Sequence, residues 1–148
     1  MMSITQLVTM LLFLAAEPVV HPVWGAEQIT EAVELTDVDP LVLLAISLHE
    51  SNLNPRAVGK AGETGPWQVH PVHRDSEYRV ACRTFPENCA AWHVQTAARI
   101  LRKGLETCGG DLKGALAYYN RGHGCKGRNQ YVAGVMRELS YLRELQNL

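Results

Sequence analysis

The stretch "DPLVLLAISLHE", from Asp39 to Glu50, constrains the fold more than any other part of this chain. Asp39 is a helix N-cap residue, and Pro40 suits the first helical position, where its missing N–H is not needed. From Leu41 to Leu48 the residues are apolar almost without a break. A helix that is apolar all round fills a core. The spacing predicts a helix from Pro40 to about Ser51, with Pro55 preventing its continuation. That core helix nevertheless closes on a carboxylic acid, Glu50, followed by chain dense in Asn, Pro and Gly.

The rest of the chain reads as further helices. "EQITEAVELT" sets Ile29, Val33 and Leu35 on one face. "AAWHVQTAARILRKGLET" places Val94, Ala97, Ala98, Leu101 and Leu105 on one stripe, and "DLKGALAYYN", opened by Asp111, groups Leu112, Ala115, Leu116 and Tyr119. After the glycine-rich "RGHGCKG", the last segment repeats Val132, Val135, Met136, Leu139, Leu142 and Leu145 at helical spacing. From Asn52 to about Asn88 turn formers dominate, with a short helix expected after Pro71. Nothing alternates with period two over a useful length. The expected fold is one all-α domain, with room for a small β-hairpin in the central loops.

Residues 1 to 25 stand apart. Their centre, "LVTMLLFLAA", has the length of a signal-peptide core and falls short of the roughly 20 residues that span a membrane. A cleaved signal peptide over 1–25 is expected, with an uncleaved N-terminal anchor as the rival, and residues 26–148 form the functional domain. Removing 1–25 deletes only Glu17 among the charges and leaves 14 acids against 14 bases. So balanced a chain is no nucleic-acid binder working through a basic field. Cys82, Cys89, Cys108 and Cys125 make an even count, which in an exported protein points to disulfides. The expected pairs are Cys82 with Cys89 and Cys108 with Cys125, although four cysteines allow three connectivities. Zinc is the weaker reading, because no C-x-x-C pair accompanies His70, His73 and His93.

A carboxyl at the C-terminal end of an apolar helix is pushed toward its neutral form by burial and by the helix dipole. It can then remain protonated near neutral pH, as a general acid must. The segments around it carry a pattern. Glu50, Ser51, Asn54, Pro55 and Ala57 fit E-S-x-x-N-P-x-A, and Gly65 and Gln68 follow at the spacing of a G-L-M-Q segment. Tyr119, Asn120 and Gly122 fit A-x-Y-N-x-G, and Tyr131, Val132 and Val135 fit Y-V-x-x-V. These motifs, in this order, resemble those of the soluble lytic transglycosylases of bacterial cell walls. The resemblance covers roughly Glu27 to Met136 and implies a lysozyme-like domain. Its closest likeness is to the short transglycosylases that open the wall for conjugation or secretion machines, and a phage enzyme is equally compatible.

The resemblance implies that Glu50 is the catalytic acid and that peptidoglycan glycan strands are the substrate. It implies no metal and no organic cofactor, a periplasmic location and a monomer, with a secretion, conjugation or phage assembly as the candidate partner. Gln68, Ser51, Trp67, Tyr119 and Asn120 are the candidate substrate-binding or Glu50-orienting residues. Trp67 either stacks on a sugar or fills the core, Gln68 contacts sugar or braces its loop, and Ser51 orients Glu50 or ends its helix. Two departures stand out: Pro66-Trp67 replaces Leu-Met, and Gly59 replaces a usual Ser. His49 beside Glu50 is no zinc-protease signature, because Leu53 stands where the second His belongs. A goose-type lysozyme hydrolase is the first alternative, with Glu63 the nearest second acid and Asp75, Glu77 and Glu87 further off. A catalytically silent glycan-binding or apparatus scaffold is the second, and it gives no reason for an acid at position 50.

Overall fold

The computed structural model describes residues 22–84 and 89–147, together with residues 3, 5, 6 and 9. Most of the expected export segment, 1–25, lies outside the described residues. Five helices of ten residues or more lie within them: α1 (Pro22–Thr36), α2 (Pro40–Ser51), α3 (Cys89–Thr107), α4 (Leu112–Arg121) and α5 (Asn129–Gln146). The all-α expectation is met. Helix α1 starts at Pro22 rather than near Glu27, as a proline at a first helical position allows. Among the described residues no helix is long and apolar enough to cross a membrane.

Side-chain capping starts two of the helices where the sequence reading placed them. Asp39 accepts from the Leu41 N–H at 2.8 Å, and Asp111 accepts from the Gly114 N–H at 3.1 Å. Helix α2 is buried from Leu41 through Ser47, and it lies mainly along α5. Helix α3 packs along α4 and against α1, and α4 also reaches α5. Leu43, Leu44 and Ile46 meet Leu101, Leu116, Leu139 and Leu142 in the fully enclosed centre. The central helix is therefore apolar all round because it has neighbours all round.

Helix α2 ends at Ser51, as expected, and Asn52 closes it ahead of Pro55, in the left-handed region at φ 54°, with its N–H bonded to Leu48 O at 3.0 Å. Leu53 is left-handed too, at φ 63°. That conformation costs a leucine about 1–2 kcal/mol. Its side chain is 4% exposed, and burial of that order returns about 1.5–3 kcal/mol. Two successive left-handed residues turn the chain back sharply after Glu50 and Ser51.

The returning chain carries the hairpin as two isolated bridges, Val58 with Thr64 and Thr64 with Val69. A 3₁₀ turn at Pro71–His73, where a short helix was expected, leads to a turn at Ser76–Tyr78 and a π-helical turn at Arg79–Thr84. Both expected disulfides form, Cys82 to Cys89 and Cys108 to Cys125. By chain-entropy reasoning each contributes about 2–3 kcal/mol. The second joins the end of α3 to the glycine-rich turn after α4. The first lies against buried His93, whose Nδ1 is 2.8 Å from Cys89 O and whose Nε2 is 3.0 Å from Thr64 Oγ1. Those sulfurs are committed to each other and the His93 nitrogens to oxygens, which makes the cluster a brace rather than a metal site.

Candidate active site

Four long-range hydrogen bonds hold the turn from Thr64 to Gln68 beside the end of α2. Ser51 Oγ donates to Pro66 O at 2.7 Å, and Trp67 Nε1 donates to Leu43 O at 2.8 Å. Tyr119 Oη donates to Trp67 O at 2.9 Å, and the Thr64 hydroxyl pairs with His93 at 3.0 Å. Helices α2, α3 and α4 thus all grip one loop. Gly65, the motif glycine, sits at φ 80°, and a Cβ there would come within 2.7 Å of the His93 ring. Gly65→Ala is expected to lower stability by about 1–3 kcal/mol through backbone strain alone, with more from the His93 clash. Thermal unfolding checks this, and an unchanged Tm would mean that the loop is not gripped as described.

Between this loop and α4 lies a cleft of about 200 Å³. Glu50, Gln68, Tyr119 and Asn120 all line it, as does Glu63. Of the expected site residues, these are the ones the fold brings together. Burial is the main cause that raises the Glu50 pKa, from the ordinary 4.5 to about 7. The Tyr131 hydroxyl opposes the shift, and the charge of Glu63 adds to it. Tyr131 Oη turns toward the acid without completing a well-formed hydrogen bond, and it is a buried hydroxyl with no other partner. The pKa values of Tyr119 and Tyr131 are pushed up by burial first and by Glu50 second, so both hydroxyls stay protonated donors.

For Trp67 and Ser51, each given two roles from the sequence, these positions favour the structural one. Trp67 is 5% exposed, belongs to the core and does not line the cleft, so it offers no ring face to a sugar. Ser51 also stays out of the cleft; besides Pro66 O, its hydroxyl accepts from the Asn54 N–H at 3.1 Å, so it ties the helix end to the loop. Gln68 lines the cleft while bracing its own loop, with Nε2 donating to Ala57 O at 3.1 Å and Gly65 O at 2.9 Å. Its backbone is left-handed at φ 48°, the kind of strain that a functional loop stores.

At Gly59, where the motif usually has Ser, a Cβ would meet the Glu63 carboxyl and come within 2.8 Å of Gln68 Oε1, so those two side-chain ends would have to turn aside to admit it. The Glu63 carboxylate occupies that space and accepts from the Ala61 N–H at 3.0 Å. The two positions belong together. Lys60 and Ile100 also line the cleft and were not singled out from the sequence, whereas His70 and His73, weighed there only as metal ligands, line it too. Tyr131, read from the sequence only as the first residue of the closing motif, acts on the acid. The family model described as "Transglycosylase SLT domain" matches residues 27–136. No curated protein matches the chain.

Proposed function

The chain belongs to the Transglycosylase SLT domain family, and from that premise we propose that Glu50 cleaves the glycan strand of peptidoglycan between N-acetylmuramic acid and N-acetylglucosamine. The observation that carries this reading is a half-buried acid with a pKa of about 7, at the inner end of the core helix, in a cleft with Gln68, Tyr119 and Asn120.

Protonated Glu50 donates to the glycosidic oxygen as the bond from muramic C1 to that oxygen breaks, and the sugar leaves with a free 4-hydroxyl. The N-acetyl group of the muramic residue supports the positive charge at C1. Glu50, now a carboxylate, takes the proton from the C6 hydroxyl as O6 bonds to C1. The nucleophile is already part of the substrate, so proximity replaces an activated water. Atoms balance without water, and the product is a 1,6-anhydromuramic end. The acid returns protonated for the next cycle. A location outside the cytoplasm is supported by the two disulfides. The same chemistry suits local opening of the wall for a secretion or conjugation machine or a phage.

The presence of Glu63 in the cleft favours one second reading, hydrolysis with Glu63 activating a water. Mass spectrometry of muropeptides released from sacculi separates the two, because an anhydro end is one water lighter than a reducing end. Anhydro ends are expected, together with a Glu63→Gln variant that keeps activity to within about tenfold, roughly 1.4 kcal/mol of barrier. Reducing ends combined with an inactive Glu63→Gln variant would transfer the assignment to the hydrolase.

A further inference from the structure

His49 stands directly before the acid but does not line the cleft. Consecutive residues of a helix point about 100° apart, so while Glu50 faces the cleft the His49 ring turns onto α5. There it meets Tyr131 and Gly134, which stand three residues apart and so share one helix face. Against Tyr131 the ring is edge-on, with centroids 5.1 Å apart and planes at 82°. Aromatic pairs favour that arrangement. Against Gly134 the ring fills a notch: a Cβ there would overlap His49 Cε1 and come within 2.6 Å of Nδ1. A glycine weakens a helix interior, and Gly134 is buried inside α5. What that glycine admits is the His49 ring.

The far end of the Tyr131 ring is the part that bears on chemistry. Tyr131 Oη is buried and, among the described residues, has no hydrogen-bond partner besides the acid it turns toward. With no second partner to tether the phenol, the approach of Oη to Glu50 is set by how the ring is wedged. We propose that His49 is a positioning residue: seated on Gly134, its ring wedges Tyr131 so that the phenol faces the Glu50 carboxyl. The proposal deepens the reading of Glu50 as the acid that acts on the glycan, and rests on it. A donor aimed at a carboxylate stabilises the ionised form. Glu50 holds that form after it has given up its proton and before it takes the next. The other polar groups around the acid come from different elements, Tyr119 from α4, and Glu63, Lys60, His70 and His73 from the central loops. The substitutions that test His49 leave all of these in place.

The test reads the Glu50 carboxyl directly, by carbon NMR across pH in glutamate-labelled protein, with its signal identified by its loss in Glu50→Gln. His49 is exposed, so its truncation leaves the core intact. His49→Ala is expected to move the Glu50 titration upward by about 0.5–1 pH unit, the effect of one modest hydrogen bond to the charged form. Tyr131→Phe should produce the same shift, and the double variant should add nothing to it. His49→Phe keeps an aromatic ring without the charge and should return the titration to its wild-type position. Gly134→Ala evicts the ring from the other side and should match His49→Ala. In release of muropeptides from sacculi, the alkaline limb of the pH profile should move with each titration. An unchanged titration in His49→Ala would overturn the positioning role. So would shifts from His49→Ala and Tyr131→Phe that add in full. A His49→Phe variant that behaves like His49→Ala would overturn it too, because the imidazole charge rather than its ring would then be acting. The carboxyl is read without substrate, so these outcomes stand apart from the cleavage reading. The expected shifts in a protein that releases no muropeptides would keep the positioning role and defeat cleavage, and turnover without the shifts would do the reverse.

Discussion

Glu50→Gln is expected to reduce release of muropeptides from sacculi by roughly 10²–10⁴-fold, the span of a lost general acid, while making the protein more stable above pH 7. The two effects have one origin. In the folded chain the acid titrates near 7, mainly because it is buried, against an ordinary 4.5. Below about pH 4.5 the carboxyl is protonated whether the chain is folded or not, so it does not bias folding. Between about 4.5 and 7 the unfolded chain gives up this proton and the folded chain keeps it, so stability falls as pH rises. Above about 7 the penalty is constant, at about 3 kcal/mol from the size of the shift. Gln keeps the shape and cannot ionise, which removes the penalty. The gain in Tm should therefore be large at pH 8 and near zero at pH 4. Wild-type kcat/KM should fall as pH passes above about 7, where the acid loses the proton it donates. A Tm gain equal at both pH values would show that Glu50 is not a buried acid, and a variant with wild-type turnover would remove Glu50 from the chemistry.

What could be foreseen from the sequence was set by the range of the forces involved. Asp39-Pro40 and Asp111 act within one helical turn, so both helix starts are legible from the residues alone. The acid at the end of a wholly apolar helix is equally local, and its raised pKa follows from burial and position. The cysteine pairing was the arrangement with the shortest loops, and it is the one found. Ser51 and Trp67 were harder because their partners lie 15 and 24 residues away, at Pro66 O and Leu43 O. A serine beside a buried acid and a tryptophan beside a motif glutamine each admit two roles, and tertiary packing chooses between them. Gly59 and Glu63 looked like unrelated features, yet one side chain fills the space that the other position leaves open. Tyr131 meets the acid only after α5 has packed along α2, a contact no local pattern encodes.

Trp67→Ala should act on stability rather than on substrate affinity. The ring is 5% exposed within the main core, and its Nε1 is tied to Leu43 O at 2.8 Å. Truncating a buried tryptophan to alanine removes about 3–5 kcal/mol through lost transfer energy and the cavity left behind. For a chain of this size that corresponds to a fall in Tm of roughly 10 °C or more. KM per folded molecule should change by less than about threefold, because the ring does not reach the cleft and a change of that size is under 1 kcal/mol. The loop could nevertheless loosen, since Tyr119 Oη is anchored on the Trp67 carbonyl at 2.9 Å. Trp67→Phe guards against that confusion. It keeps most of the ring and loses only the N–H, so it should cost about 1 kcal/mol for the missing hydrogen bond plus a small cavity term. A steep rise in KM in both variants, with Tm little changed, would return Trp67 to the sugar-stacking role. A large Tm loss in the alanine variant alone, at near-constant KM, assigns the residue to the wedge that fixes the loop over the acid.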